Sequence, residues 1–214
     1  MKFWLLVLTA FAAAICTLLS SAPVGFGLAT FVAVYLYIQI AIQVNSSRLA
    51  FLVVFLTQVP LWLWLHYWMQ DLAFYGWIAM GFYMSIWAPL FVVLLRTTQR
   101  SNLPLIIVAP TLWVALECTR GIILFDGYPW FLAGLGLLGV PIASIASIGG
   151  VWLASYFVVT VSALFASIRS TYEPCIRSTS VIDSTWHRSA IWRCPIKESI
   201  SGSSTASNSR NLPS

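Results

Sequence analysis

The sequence predicts an all-α polytopic membrane protein with about six transmembrane helices. Three observations lead to this fold class. Of the 214 residues, 60% are hydrophobic and only 8% are charged, and the mean hydropathy is +0.88. A soluble globular domain has roughly 25% charged residues, so this composition excludes an ordinary soluble fold. The apolar residues also form runs that are long enough to cross a bilayer.

Each predicted helix comes from one of these runs. A spanning helix needs about 20 mostly apolar residues. Six runs meet or approach that length, at residues 3–20, 23–44, 49–69, 72–95, 103–117 and 142–168. The fifth run is short, so we expect its helix to tilt or to extend to Cys118. Residues 1–168 are therefore predicted to form one transmembrane helical domain.

The basic residues predict the orientation of these helices. If every run crosses the membrane, one side holds most of the Lys and Arg residues in the linkers, namely Lys2, Arg48, Arg96, Arg100 and Arg169. The opposite side holds only Arg120. Lys and Arg favour the cytoplasmic side, so both termini are predicted to be cytoplasmic. The basic residues that give the net charge of +5 are distributed among the linkers between apolar runs. This distribution fits membrane topology, so no nucleic-acid partner is predicted.

The first run also has features of a cleaved signal peptide. Lys2, the apolar stretch and the small residues Ser20, Ser21 and Ala22 fit that pattern. Five further spans favour an uncleaved first helix, and we expect the chain to keep it.

The outward-facing segment, residues 119–141, is predicted to be an interfacial or re-entrant element. It is apolar, but Asp126-Gly127 and Pro129 interrupt it, so it is too short and too broken to span twice. Small residues allow close approach of backbones or acyl chains, which we expect at Gly134, Gly136 and Gly139. By the same reasoning, Gly149-Gly150 predicts a helix contact in the sixth span.

Residues 169–214 differ from the rest of the chain. They are polar and rich in Ser and Thr, and they show no periodic apolar pattern. This composition predicts a disordered polar tail.

Two charged residues near the end of the fifth span are candidates for a functional role. Glu117 and Arg120 lie three residues apart, a spacing that places both side chains on one face of a helix, close enough to pair. A charge at a membrane edge is costly unless it is paired or hydrated. One interpretation is a self-neutralising pair that caps the helix. The other is a polar platform facing a lipid headgroup or a docked domain, together with Tyr128, Pro129 and Trp130.

No catalytic, metal or cofactor site is predicted. The four cysteines have no CxxC spacing, and the histidines His66 and His187 lack ligand partners at useful spacing. His66 lies in the run Trp62-Leu-Trp64-Leu-His66-Tyr67-Trp68, which is typical of an interfacial aromatic belt.

One stretch of the chain is distinctive. It comprises Pro110-Thr-Leu-Trp113-Val-Ala-Leu-Glu117-Cys-Thr-Arg120-Gly121, then Gly127-Tyr128-Pro129-Trp130, Gly134, Pro141 and Gly149-Gly150-Val151. This pattern resembles the apolipoprotein N-acyltransferase family, in which Trp, Glu and Arg at this spacing precede a Gly-Phe-Pro-Trp segment. Tyr128 takes the aromatic position here. The resemblance covers residues 1–168, and only 110–151 is distinctive.

The resemblance implies a multi-pass protein of the bacterial inner membrane. The family transfers an acyl chain from a phospholipid to the N-terminal diacylglyceryl-cysteine of a lipoprotein, through a thioester on an enzyme cysteine. Its catalytic Glu, Lys and Cys belong to a nitrilase-like domain outside the membrane. The implied partners are membrane phospholipid and a lipoprotein substrate or a separate nitrilase-like domain.

The chain departs from the family pattern after the sixth span, where the polar tail replaces the nitrilase-like domain. We therefore expect a truncated membrane domain that is inactive alone, with a frameshift as the origin of the tail; whether the chain is an enzyme stays open. Two alternatives also stay open: a small transporter or channel component, and a structural membrane protein. Transporters place ionisable groups near the midplane, whereas the charges here gather at one edge.

Overall fold

The computed structural model describes residues 1–21, 24–98, 103–123, 127–138 and 141–180, with side chains for all of these except 123 and 170–180. The chain divides into two units, Met1–Arg169 and Ser170–Ser214. The first unit contains the helical domain described below. The predicted tail comprises residues 169–214. The structure describes its first part, up to Ser180, as helical, and residues 181–214 lie outside the described residues.

Seven α-helices account for most of the described chain. They are α1 (Phe3–Ser20), α2 (Leu28–Gln43), α3 (Ser47–Leu65), α4 (Phe74–Ser85), α5 (Trp87–Thr98), α6 (Leu105–Cys118) and α7 (Ala146–Ser180). No strand occurs in the part of the chain that the structure describes. The predicted all-α fold class is therefore confirmed.

Among the described residues, five helical segments are long and apolar enough to cross a membrane: Phe3–Ser20, Ser47–Leu65, Phe74–Thr98, Leu105–Ile122 and Pro141–Arg169. Helix α2 is also apolar but is shorter, with 16 residues. These six segments correspond to the six runs predicted from the sequence. The second run was predicted to begin at residue 23, whereas α2 begins at Leu28. Residues 24–27, which precede it, are not helical.

The fourth span consists of two helices, α4 and α5, that are separated at Ile86. Pro89 explains the interruption, because proline has no N–H to bond the carbonyl of Ser85 one turn earlier. The Ser85 hydroxyl donates to the Gly81 carbonyl at 2.6 Å. Ser85 and Pro89 are buried, whereas Ile86 at the break is 40% exposed.

In the bundle, α2 packs against α1 and α5, and α3 packs against α1, α4 and α5. Helix α5 also packs against α6. The Ser162 hydroxyl of α7 donates to the Phe31 carbonyl of α2 at 3.0 Å, which joins α7 to the same core. Many core positions are small residues, which lets the helices approach closely in the absence of a hydrophobic driving force; examples are Ala10, Ala13, Ala33, Ala50, Ala154 and Ala163.

The glycines Gly149 and Gly150 interrupt α7, and the helix contact predicted for them is not formed. A Cβ added to Gly150, which has φ +67°, would have no atom within 4 Å. The atoms nearest to a Cβ added to Gly149 belong to Leu153 of the same helix. Both residues have non-helical backbone angles. They serve as a kink rather than as a packing surface, because glycine readily adopts the left-handed conformation.

The described part of residues 119–141, which were predicted to face outward and are called the outward segment below, is partly buried between helices. It starts with a π-helical turn, Thr119–Ile123, contains the 3₁₀ helix Ala133–Leu137, and ends where a second 3₁₀ helix, Pro141–Ile145, begins. A Cβ on Gly134 would lie 2.5 Å from the Val151 carbonyl oxygen of α7, and one on Gly136 would overlap the Thr30 side chain of α2. The predicted close backbone approach is confirmed for these two glycines. Gly139 lies outside the described residues.

Candidate functional site

Glu117 connects α6 to the outward segment. Its side chain is 5% exposed and belongs to the last turn of α6. Its Oε1 atom accepts a hydrogen bond from Trp113 Nε1 at 2.8 Å and another from the Ala133 N–H at 2.7 Å. The Ser155 hydroxyl of α7 accepts the next N–H, that of Gly134, at 2.8 Å. Glu117 and Ser155 thus hold the start of the 3₁₀ helix from two sides.

Arg120 binds the same segment a few residues earlier. Its side chain is also 5% exposed and starts from the π-helical turn after α6. The Nη2 atom donates to the carbonyls of Trp130 at 3.1 Å and Phe131 at 3.2 Å. The Nη1 atom contacts Met84 Sδ at 3.9 Å. The guanidinium therefore satisfies backbone carbonyls that would otherwise be buried without donors.

The direct pair predicted for Glu117 and Arg120 is not formed among the described residues, where each side chain has hydrogen-bond partners of its own. The reason is local geometry: α6 ends at Cys118, and the wider π-helical turn that follows changes the angular spacing between the two residues. Their opposite charges still attract each other through the protein interior. The two residues therefore act together on the segment 130–133 rather than on each other.

Phe131 has a strained backbone at this point. Its φ is +56°, a conformation that costs energy for a residue with a side chain. This geometry directs its carbonyl to Arg120, while its ring packs against Trp62 with centroids 5.3 Å apart and His66 with centroids 5.4 Å apart. The bonds to Arg120 and the ring contacts stabilise the strained conformation.

His66 is fully buried beside this cluster. Its Nδ1 lies 2.9 Å from the Trp62 carbonyl and its Nε2 lies 2.9 Å from the Tyr128 hydroxyl. A carbonyl can only accept, so Nδ1 is the protonated nitrogen and Tyr128 donates to Nε2. The expected aromatic belt is thus divided: Trp64, Tyr67 and Trp68 are exposed, whereas His66 and Trp62 are interior residues.

The environment of His66 predicts a pH-dependent stability. Burial lowers the pKa of His66, the positive charge of Arg120 lowers it further, and the bond to the Trp62 carbonyl opposes both effects. Below about pH 6.5, His66 binds a proton in the unfolded chain but not in the folded chain. The free energy of unfolding is therefore highest above that pH and falls as the pH decreases.

We expect the melting temperature of the purified chain to fall between about pH 7 and about pH 5.5. His66→Gln should flatten this slope and His187→Gln should not; equal slopes in all three proteins would contradict the assignment.

A cavity of about 470 Å³ lies between the helices and the outward segment. Glu117, Arg120 and residues 130–133 form part of its wall, and aromatic and aliphatic residues form most of the remainder, including Val34, Trp62, Trp87, Phe91 and Trp113. Its volume falls in the range of small-molecule sites. The wall also contains a polar group made by Thr17, Tyr37 and Gln58.

The sequence model of the apolipoprotein N-acyltransferase N-terminal domain matches residues 13–164. The chain belongs to this family. The apolipoprotein N-acyltransferase of Azotobacter vinelandii is 40% identical over 75 residues, which cover 34% of this chain and 14% of the relative. That of Rhodopirellula baltica is 32% identical over 128 residues, covering 54% of this chain and 22% of the relative. The chain therefore spans a small part of the length of the curated relatives that it matches.

The family match includes the distinctive stretch around Glu117 and Arg120, and it confirms the resemblance that those residues suggested. The other sequence candidates differ in exposure: Pro129 is exposed, Trp130 is 64% exposed and Tyr128 is half-buried. Sequence reasoning missed His66 and Gln58 as site residues. A polar residue within an apolar run is a signal that could have found Gln58.

Proposed function

We propose that this chain is the membrane part of a lipoprotein N-acyltransferase system in the bacterial inner membrane, with both termini in the cytoplasm. It binds phospholipid and provides the outward surface on which a nitrilase-like catalytic domain acts on a lipoprotein. The basic residues on one side of the predicted spans support this orientation.

One observation supports the docking role most directly. Glu117 and Arg120 hold the segment 130–133 through three backbone bonds: from the Ala133 N–H at 2.7 Å, to the Trp130 carbonyl at 3.1 Å and to the Phe131 carbonyl at 3.2 Å. This attachment leaves the Trp130 side chain 64% exposed. An exposed tryptophan on a fixed backbone is typical of an interface hot spot. We therefore assign Pro129 and Trp130 to the surface that contacts the catalytic domain.

Docking can be measured with the nitrilase-like domain of the family supplied as a separate polypeptide. We expect it to co-purify with the chain in lipid nanodiscs, and Trp130→Ala should weaken binding by about tenfold, because an anchoring tryptophan contributes on the order of 1.4 kcal/mol or more. Trp4→Ala is the matched control, since Trp4 is 59% exposed near the N-terminus. Absence of co-purification, or an equal loss in both variants, would refute the docking role.

The acyl-transfer step is expected to need that second domain. The free cysteines among the described residues are Cys16 and Cys118, and neither lines the cavity. Thioester chemistry requires a thiolate beside a base and an oxyanion site. The purified chain with phospholipid should therefore show no acyl adduct by mass spectrometry. A hydroxylamine-sensitive adduct on any of its cysteines would show that the chain is active by itself.

A further inference from the structure

Several residues in the cavity wall have buried polar atoms without a hydrogen-bond partner. Within the described residues these atoms are Gln58 Oε1, Trp62 Nε1 and Arg120 Nε. Buried polar groups are normally bonded, and leaving one without a partner is costly, most of all where no water is near. Their concentration around one cavity indicates that a ligand with both donors and acceptors belongs there.

The orientation of the Gln58 amide follows from its hydrogen-bond network. The Thr17 hydroxyl donates to the Ala13 carbonyl at 2.9 Å, so its oxygen can only accept from the Tyr37 hydroxyl, 3.2 Å away. The Tyr37 proton is then used, and the Tyr37 oxygen accepts from Gln58 Nε2 at 2.7 Å. A flipped amide would place two acceptors opposite each other. The network therefore leaves Gln58 Oε1 as the unpartnered atom, and this atom is an acceptor.

Trp62 supplies the complementary group. It follows Gln58 by four residues on α3, so the two side chains lie one turn apart on the same side of the helix. The indole N–H can only donate, and both residues line the cavity. Gln58 is 0% exposed and Trp62 is 5% exposed. A group that satisfies both must donate one proton and accept another, as a hydroxyl does. The carbonyl of an ester can only accept.

The cavity also suits the apolar part of a lipid. Its volume of about 470 Å³ and its mostly apolar lining give an acyl chain a place beside the polar residues of the wall. The nearby side chains of Glu117 and Arg120 contribute opposite charges, so the wall does not favour a ligand with net charge.

We propose that this cavity binds a monoacyl glycerolipid, with its free hydroxyl between Gln58 and Trp62 and its single chain along the apolar wall. This inference rests on the lipid-binding role in the proposed function. A diacyl lipid that donates one acyl chain keeps the other chain and gains a free hydroxyl, so the proposed ligand is the lipid that remains after the transfer. Selection for that hydroxyl distinguishes the site from a nonspecific hydrocarbon pocket.

The first test uses the full chain in nanodiscs and two monoacyl glycerophosphocholines with a palmitoyl chain. One has a free hydroxyl at the second glycerol carbon, and the other has a methoxy group there. We expect about tenfold tighter binding of the hydroxyl form, because the methoxy form has no donor for Gln58 Oε1. Native mass spectrometry measures both affinities. Equal affinities would overturn the proposal, and this comparison needs no variant.

The second test uses Gln58→Leu, which should remove the preference between the two lipids. Gln39→Leu is the control, since Gln39 is 6% exposed, accepts from Gln43 Nε2 at 2.7 Å and does not line the cavity. A preference that survives in Gln58→Leu would also overturn the proposal. If both lipids bind equally well, the proposed hydroxyl site is refuted but lipid binding by the domain is not. If neither lipid binds, the lipid-binding role in the proposed function is refuted as well. The docking role is tested separately by co-purification.

Discussion

Replacing Arg120 with methionine is expected to destabilise the helical domain by about 3 kcal/mol, the cost of breaking a buried charge arrangement by removing one partner. The carbonyls of Trp130 and Phe131 would lose donors that now lie at 3.1 and 3.2 Å. The carboxylate of Glu117 would stay buried without a neighbouring cation. Reversible unfolding in mixed micelles with increasing denaturing detergent measures the free-energy change.

Arg96→Met is the matched control for this experiment. Arg96 also donates to a backbone carbonyl, that of Asn45 at 2.9 Å, but it is only partly buried. A bond of this kind at the surface contributes at most about 1 kcal/mol. If the two variants lose the same stability, then burial of Arg120 is not what makes its bonds important.

A double variant measures how much the attraction between the two charges contributes, apart from the hydrogen bonds that each side chain makes to the segment 130–133. Glu117→Gln with Arg120→Met removes both charges, so the buried carboxylate without a cation no longer exists. We expect the double variant to lose less stability than the sum of the two single losses. Strict additivity would show that the two side chains hold the segment 130–133 independently, and that their mutual attraction contributes nothing measurable.

The positions of the helices were predictable because hydropathy alone determines them. The predicted runs 3–20 and 103–117 correspond to α1 (Phe3–Ser20) and α6 (Leu105–Cys118) within two residues at each end. A bilayer requires long apolar helices, so composition and length are sufficient to find them. The break at Ile86 was not predicted, although Pro89 is a physical signal for it.

The site was only partly predictable, because its contacts join distant parts of the chain. Glu117 and Arg120 were identified as rare charges, but their separate partners depend on a π-helical turn that has no sequence signature known to us. The bond between His66 and Tyr128 joins residues 62 positions apart. The buried residues Gln58, Trp62 and His66 are spaced by four, so the helical period places them on one face of the helix. The sequence shows this face but not the ring of Tyr128 that it meets.

A close contact between Gly27 and Gly136 predicts a second large effect. Gly27, which precedes α2, touches the 3₁₀ helix Ala133–Leu137, and a Cβ on Gly27 would overlap the carbonyl oxygen of Gly136. The added Cβ has a fixed position on the Gly27 backbone and the group that it meets is a backbone carbonyl, so no side-chain rotation relieves the clash. We expect Gly27→Ala to cost about 3 kcal/mol, measured by the same unfolding experiment, and to increase hydrogen exchange at residues 132–138.

Gly76→Ala tests whether this effect is specific to backbone contact. Gly76 lies in α4, where a Cβ would be 3.2 Å from the Ala73 Cβ and 3.6 Å from the flexible end of Met69. The gain in helix propensity, up to about 1 kcal/mol, should offset the small adjustment that these neighbours make. Gly27 has no such compensation, because it lies outside the helix and meets rigid backbone.

Since Gly136 also lines the cavity, Gly27→Ala should loosen the cavity wall and weaken binding of the monoacyl lipid. A Gly27→Ala protein as stable as Gly76→Ala, with unchanged exchange, would show that the outward segment is not held by this contact.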